Sequence, residues 1–170
     1  MVLGLLGRIR SSSSELDLKS YKDNRSASKH FAVEGEEFMA ARNLEAATSC
    51  FERAIQLDPK NEYGWGGKAL ALDYSKKYNE ALECYNKALE CNRDNAITWH
   101  NRGLTLVSLK MLRESVESFE KALEINPRYA KAWYNKGRIL QKLDQVEDAQ
   151  KCLSTARKLD PLLFVKLRGR

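Results

Sequence analysis

The sequence predicts an all-α fold built as a stack of four helix pairs, and three observations carry that prediction. "WHNRGLTL" at residue 99 returns as "WYNKGRIL" at 133, an interval of 34 residues that leads back from Trp99 to Trp65 and Phe31. With residues 28, 62, 96 and 130 taken as position 1, each period carries two triplets spaced i, i+4, i+7, which places one apolar stripe on each of two helices. Pro59, Pro127 and Pro161 stand at position 32, where a residue that cannot continue a helix ends the second of the pair.

Taken in order, the chain opens with an extension over 1–27, whose "SSSS" and "KSYKDNRSAS" read as partly disordered lead-in. Val2, Leu3, Leu5, Leu6 and Ile9 fall on one helical face, so the first ten residues form a short helix if they form anything. The repeat units follow at 28–61, 62–95, 96–129 and 130–163. In their first helices, position 4 is Phe31, Trp65, Trp99 and Trp133, and position 8 is Gly35, Ala69, Gly103 and Gly137. Position 11 is Phe38, Leu72, Leu106 and Leu140. In the second helices, position 20 is Ala47, Ala81, Ser115 and Ala149, and position 24 is Phe51, Tyr85, Phe119 and Leu153. Position 27 is alanine throughout, at Ala54, Ala88, Ala122 and Ala156. Small residues let the paired helices approach, and the aromatics are expected to fill the space between them. No unit can bury its stripes alone, so neighbours must stack. The tail, 164–170, continues "LLFVKLRGR" and is predicted to lay a short helix over the open end of the fourth unit.

Composition narrows the function classes. No apolar run approaches the roughly 18 residues of a membrane span, and "MVLGLLGRIR" lacks the long apolar core of a signal peptide, so a cytoplasmic protein is expected. Cys50, Cys84, Cys91 and Cys152 match no common zinc or disulfide spacing and read as small apolar residues, so no metal and no cofactor are expected. His30 and His100 lie in units separated by a whole repeat, so they cannot pair as base and nucleophile, and no catalytic residue is assigned. "GWGGKA" at 64–69 lacks the glycine spacing, the Ser/Thr and the preceding strand of a phosphate loop. Its Gly66 and Gly67 either leave a bare notch for a ligand backbone or are tolerated drift, at roughly 1 kcal/mol each relative to alanine.

The period, and the order of aromatic, small, apolar, Ala, aromatic, Ala and Pro within it, resemble the tetratricopeptide repeat (TPR) over some 136 of 170 residues. The pattern departs from the family at position 7, where Glu34, Lys68, Arg102 and Lys136 replace the usual Leu, and at Arg93, which replaces a proline. A long stem at position 7 can lie along the core edge with its charge in water.

The resemblance implies a right-handed α-α superhelix that works as a noncatalytic interaction module or scaffold. It also implies a concave groove, lined by positions 2, 5, 9 and 12 of the first helices, that holds a peptide or a partner helix. In this chain the expected groove residues are Tyr63, Ile97, His100, Asn101, Leu104, Lys131, Tyr134, Asn135 and Arg138. Within "WHNRG", Trp99 and Gly103 are then scaffold, and His100 is the residue expected to meet a ligand. Only Asn101 and Lys131 match the five-residue carboxylate clamp of chaperone-binding TPR domains, so that mode is not expected here. Net charge runs from −2 in the first unit to +3 in the fourth, which would steer an acidic ligand toward the C-terminal end. Because the repeats sum to only +1, nucleic acid is not the expected partner. The alternative reading is a self-assembly unit that forms homo-oligomers through repeat ends and tails.

Overall fold

The computed structural model describes residues 21–166. The apolar face of residues 1–10 lies outside the described residues, as do the side chains of Phe164, Val165 and Leu167 on which the expected cap depends. Helix α1 spans Asn24–Ala40, α2 Leu44–Leu57, α3 Glu62–Tyr74, α4 Tyr78–Cys91, α5 Ala96–Ser108, α6 Leu112–Ile125, α7 Ala130–Lys142 and α8 Val146–Leu159, with a short α9 over Pro161–Lys166. No strand occurs among the described residues, and no helix there is long and apolar enough to cross a membrane. Consecutive helices pack as pairs and the pairs stack in chain order, giving an α-α superhelix; α1 also touches α3, and α3 touches α5.

Local chemistry sets the ends of these helices. Asp23 and Ser26 form a capping box, Ser26 N–H donating to Asp23 Oδ1 at 2.7 Å, and so start α1 four residues ahead of the position where α3, α5 and α7 begin. Asn61 and Asn95 cap α3 and α5, each carboxamide oxygen accepting two backbone N–H groups. A turn with φ near +60° joins the helices of every pair, at Arg42, Lys76, Lys110 and Asp144, all at position 15. There the N–H of the next residue donates back to a carbonyl five residues upstream, as from Lys77 to Leu72 O at 2.9 Å, which is how a helix end satisfies its last acceptors. Asp58, Asn92, Asn126 and Asp160 at position 31 each accept from the N–H two residues on, so a side-chain turn precedes every position 32.

Packing divides the aromatics into two jobs. Phe51, Tyr85 and Phe119 at position 24 are at most 1% exposed and form the plugs of the first three pairs, among small residues at positions 20 and 27 that are equally covered. The tryptophans at position 4 are only half-buried, and each fastens its unit to the preceding loop. Trp65 Nε1 donates to Pro59 O at 2.9 Å, Trp99 Nε1 to Arg93 O at 2.8 Å and Trp133 Nε1 to Pro127 O at 2.8 Å. The latch uses the carbonyl at position 32, so Arg93 serves as well as proline. Position 7 carries a second tie: Lys68 pairs with Glu52 at 2.9 Å and Lys136 with Glu120 at 2.8 Å, each across a unit junction. A leucine there would lose that bond, which accounts for Lys68 and Lys136.

Candidate functional site

The concave face is built from the first helices α1, α3, α5 and α7. Over the first three units it forms a channel of about 300 Å³ lined by Glu36, Met39, Tyr63, Gly66, Leu70, Ile97 and Asn101, among others. A second hollow of about 570 Å³ lies against Met39, Leu44, Leu70 and Tyr74. Tyr63 and Ile97 are 61% and 62% exposed, and Leu104 is also open. So much uncovered apolar area on neighbouring helices costs solvation unless something covers it.

The two glycines of "GWGGKA" have separate reasons. A Cβ on Gly67 would collide with the Phe51 ring, so that position needs close approach between units. At Gly66 nothing lies within 4 Å of where a Cβ would stand, and the backbone is bare toward the channel. Glu36 and Glu62 also line this channel.

Of the expected groove residues, the channel brings together Tyr63, Ile97 and Asn101. Lys131, Tyr134, Asn135 and Arg138 stand on α7, with Lys131 and Arg138 exposed. The Arg138 guanidinium lies over the Tyr134 ring, 5.8 Å from its centroid, so the cation is held by the aromatic face.

His100 differs from the expectation. It is 5% exposed, with its ring 4.9 Å from Tyr129 and 5.7 Å from Phe119. Asn135 Nδ2 donates to His100 Nε2 at 2.9 Å, which leaves the ring hydrogen on Nδ1, facing Asn101 Oδ1 at 3.3 Å. Burial holds the imidazole pKa below its ordinary value, opposed by the Asn101 bond and reinforced by the charge of Lys131. His100 and Asn135 therefore join α5 to α7 and are a joint between units. Position 5 differs from unit to unit: Ala32 and His100 are buried, Tyr134 is half-buried, and at Gly66 nothing lies near where a Cβ would stand.

Asp73, on the same expected stripe, is likewise turned inward. Its carboxylate accepts from Thr105 Oγ1 at 2.8 Å and from Tyr85 OH at 3.0 Å. Desolvation raises its pKa, and the two hydrogen bonds pull against that shift.

Met39 lines the channel and Tyr74 the second hollow, and of the two only Met39 belongs to the expected groove stripe. Met39 sits at position 12 and was legible from the stripe, whereas Tyr74 at position 13 follows no repeat rule. The thiols offer little nucleophilic chemistry. Burial and Glu34 push Cys50 up to about 12, and burial raises Cys84 and Cys152 as well.

Comparisons with known proteins agree with this geometry. Models described as tetratricopeptide repeat match residues 34–61, 96–129 and 118–151, and one described as TPR repeat matches 72–110. Among solved structures, MamA superposes with a TM-score of 0.77 at 18% identity, over 85% of this chain and 83% of that one. The first TPR of Spaghetti (RPAP3), bound to the HSP90 peptide SRMEEVD, gives 0.70 at 23% identity, over 72% of this chain and 97% of that one. PilF of Pseudomonas aeruginosa gives 0.75 at 20% identity, over 81% and 63%. A search of curated proteins returns no match. TPR domains are typically noncatalytic interaction modules that support a scaffold role. On the repeat matches, which together span 34–61 and 72–151, and on a superhelix of the same architecture, the chain belongs to the tetratricopeptide repeat family.

Proposed function

We propose that this protein is a noncatalytic scaffold whose concave channel holds an extended peptide or a partner helix. The observation that carries the reading is the bare backbone at Gly66 between the exposed Tyr63 and Ile97. A ligand backbone can approach closely there while its apolar side chains cover the flanking residues. Acidic residues of the ligand are assigned to the C-terminal end, where Lys131 and the Tyr134-supported Arg138 stand exposed on the most positively charged unit. The RPAP3 neighbour, with its acidic peptide, supports this class of ligand by analogy of fold.

A fluorescein-labelled acidic peptide library, titrated at two salt concentrations, tests the reading. Gly66→Leu fills the notch from a Cβ position that meets no neighbour, so it should keep or raise the melting temperature while abolishing binding. Arg138→Glu should weaken acidic peptides and flatten their salt dependence. Unchanged binding in Gly66→Leu would sink the channel as the site. Concentration-dependent light scattering without peptide binding would favour the self-assembly alternative.

A further inference from the structure

The three unit junctions act as controls for one another on the outer face. At the first and third, a lysine at position 7 is neutralised by a glutamate of the preceding unit, Lys68 by Glu52 and Lys136 by Glu120. Cys84 and Cys152 stand near those lysines, close enough for the lysine charge to act on each thiol. At the middle junction all of these positions change together. Arg102 replaces the lysine, Asn86 the glutamate and Ser118 the cysteine, while Arg93 replaces the proline of position 32.

The replacements bond to one another. Arg102 Nε donates to Asn86 Oδ1 at 2.8 Å and Nη1 to Ser118 Oγ at 2.5 Å, both neutral acceptors. The guanidinium lies 5.7 Å from the Trp99 ring centroid. It forms no ion pair among the described residues, and Glu114 and Glu117 act on it only at longer range. Its remaining nitrogen, Nη2, has no protein acceptor there and is not sealed from solvent. Partial desolvation of the charge strengthens whatever acceptor it meets.

A cavity of about 570 Å³ opens beside it, against about 360 Å³ at the third junction. Leu89, Trp99 and Ile125 contribute its apolar wall. On the rim Lys121 neutralises Glu124, and Glu90 is neutralised by Lys87, which stands outside the lining. Arg93, Arg102 and Asp94 are left, with one positive charge in excess. A phosphate or a nucleic-acid strand carries too much negative charge for such a rim, whereas one carboxylate balances it.

We propose that the cavity between α4, α5 and α6 is a second recognition site, on the face opposite the channel. It would take a segment of a partner protein that presents a single Asp or Glu carboxylate beside a bulky apolar residue. The carboxylate meets Arg102 Nη2 and the Arg93 side chain, and the apolar residue covers Ile125 and the half-buried Trp99. The site stands independently of the channel.

The test uses ¹⁵N-labelled full chain titrated with the blocked peptide Ac-Lys-Leu-Glu-Lys-NH2 and with its Gln counterpart. The Glu peptide should shift the Trp99 indole and Arg102 Nε resonances to saturation and leave the Trp65 and Trp133 indoles in place. Asn86→Glu restores the pattern of the other junctions and neutralises Arg102. It should weaken the Glu peptide about tenfold or more while the melting temperature is kept. Equal shifts with the Gln peptide, equal movement of all three indoles, shifts at Gly66 in place of Trp99, or undiminished binding by Asn86→Glu would each overturn the proposal.

Discussion

The first two units and the last two solve the same stacking problem by different means. In the first half, three of the four helices are closed by their own side-chain caps, from Asp23, Asn43 and Asn61, and the aromatic plugs Phe51 and Tyr85 are sealed. In the second half only α5 is capped this way, and the plug declines from the fully buried Phe119 to the half-buried Leu153. Ties between units run along the whole stack, from Lys68–Glu52 to Lys136–Glu120, but at position 5 they differ: His100 is bonded to Asn135 of the next unit, whereas Gly66 has no side chain to reach across. Where position 5 carries no side chain, the inner face stays open around Gly66. Where it carries His100, the same face is filled. A repeat can thus keep its period while changing which surface it leaves for a ligand.

The largest expected effect concerns the plugs. Phe119→Ala should cost about 3–5 kcal/mol, and Leu153→Ala, at the half-buried end of the stack, nearer 2 kcal/mol. Urea unfolding of both variants measures the gap, and equal losses would remove the distinction between a sealed interior unit and a looser last one.

The joint between α5 and α7 is tested by pH. Buried His100 has a folded pKa below its unfolded value near 6.5, so the unfolded chain binds the extra proton first. Its contribution is fully present above about pH 6.5 and is lost as pH falls through the folded pKa. Asp73 has the opposite sign: its raised folded pKa makes stability rise as pH falls through that value, above the ordinary 3.8. Melting temperature between pH 8 and 5 should therefore decline in the parent and flatten in His100→Gln, and an identical slope in the two would break the assignment.

The smallest effect falls where the halves are alike. Lys76 and Lys110 hold φ of 60° and 62°, a conformation that costs a side-chain-bearing residue about 1 kcal/mol and glycine almost nothing. Lys76→Gly and Lys110→Gly should each stabilise by about 0.5 kcal/mol once the glycine's greater unfolded freedom is subtracted, readable as a small rise in urea midpoint. A rise in one half alone would show that the turns, too, are used differently.

Much of the architecture was legible in the residues themselves. The 34-residue period, the stripes and the proline at position 32 are local patterns, and they predict the helix pairs that form. Tyr63 and Ile97 followed from the groove stripe, and Asn101 from the clamp position, that the family resemblance implies, and the three lie together in the channel. The aromatic at position 4 was read as filling, yet its indole N–H is spent on the preceding loop. Phe31, at the same position, has no such hydrogen to donate. His100 shares a helical angle with groove residues, but angle does not say which neighbour arrives on that side, and in this unit Tyr129 and Asn135 arrive there.

The sequence by itself determined the number of repeats, the helix pair within each of them and the side of its helix that each repeat residue faces; that α1 reaches back to Asn24 it left unread. Those depend on spacing along one chain, where a turn of helix returns every 3.6 residues. The tertiary structure alone decided which of those faces stay uncovered. The rotation of one unit on the next brings α7 over His100, leaves Gly66 bare and opens a cavity beside Arg102, and contacts between residues 16 to 35 apart follow no period within a single helix.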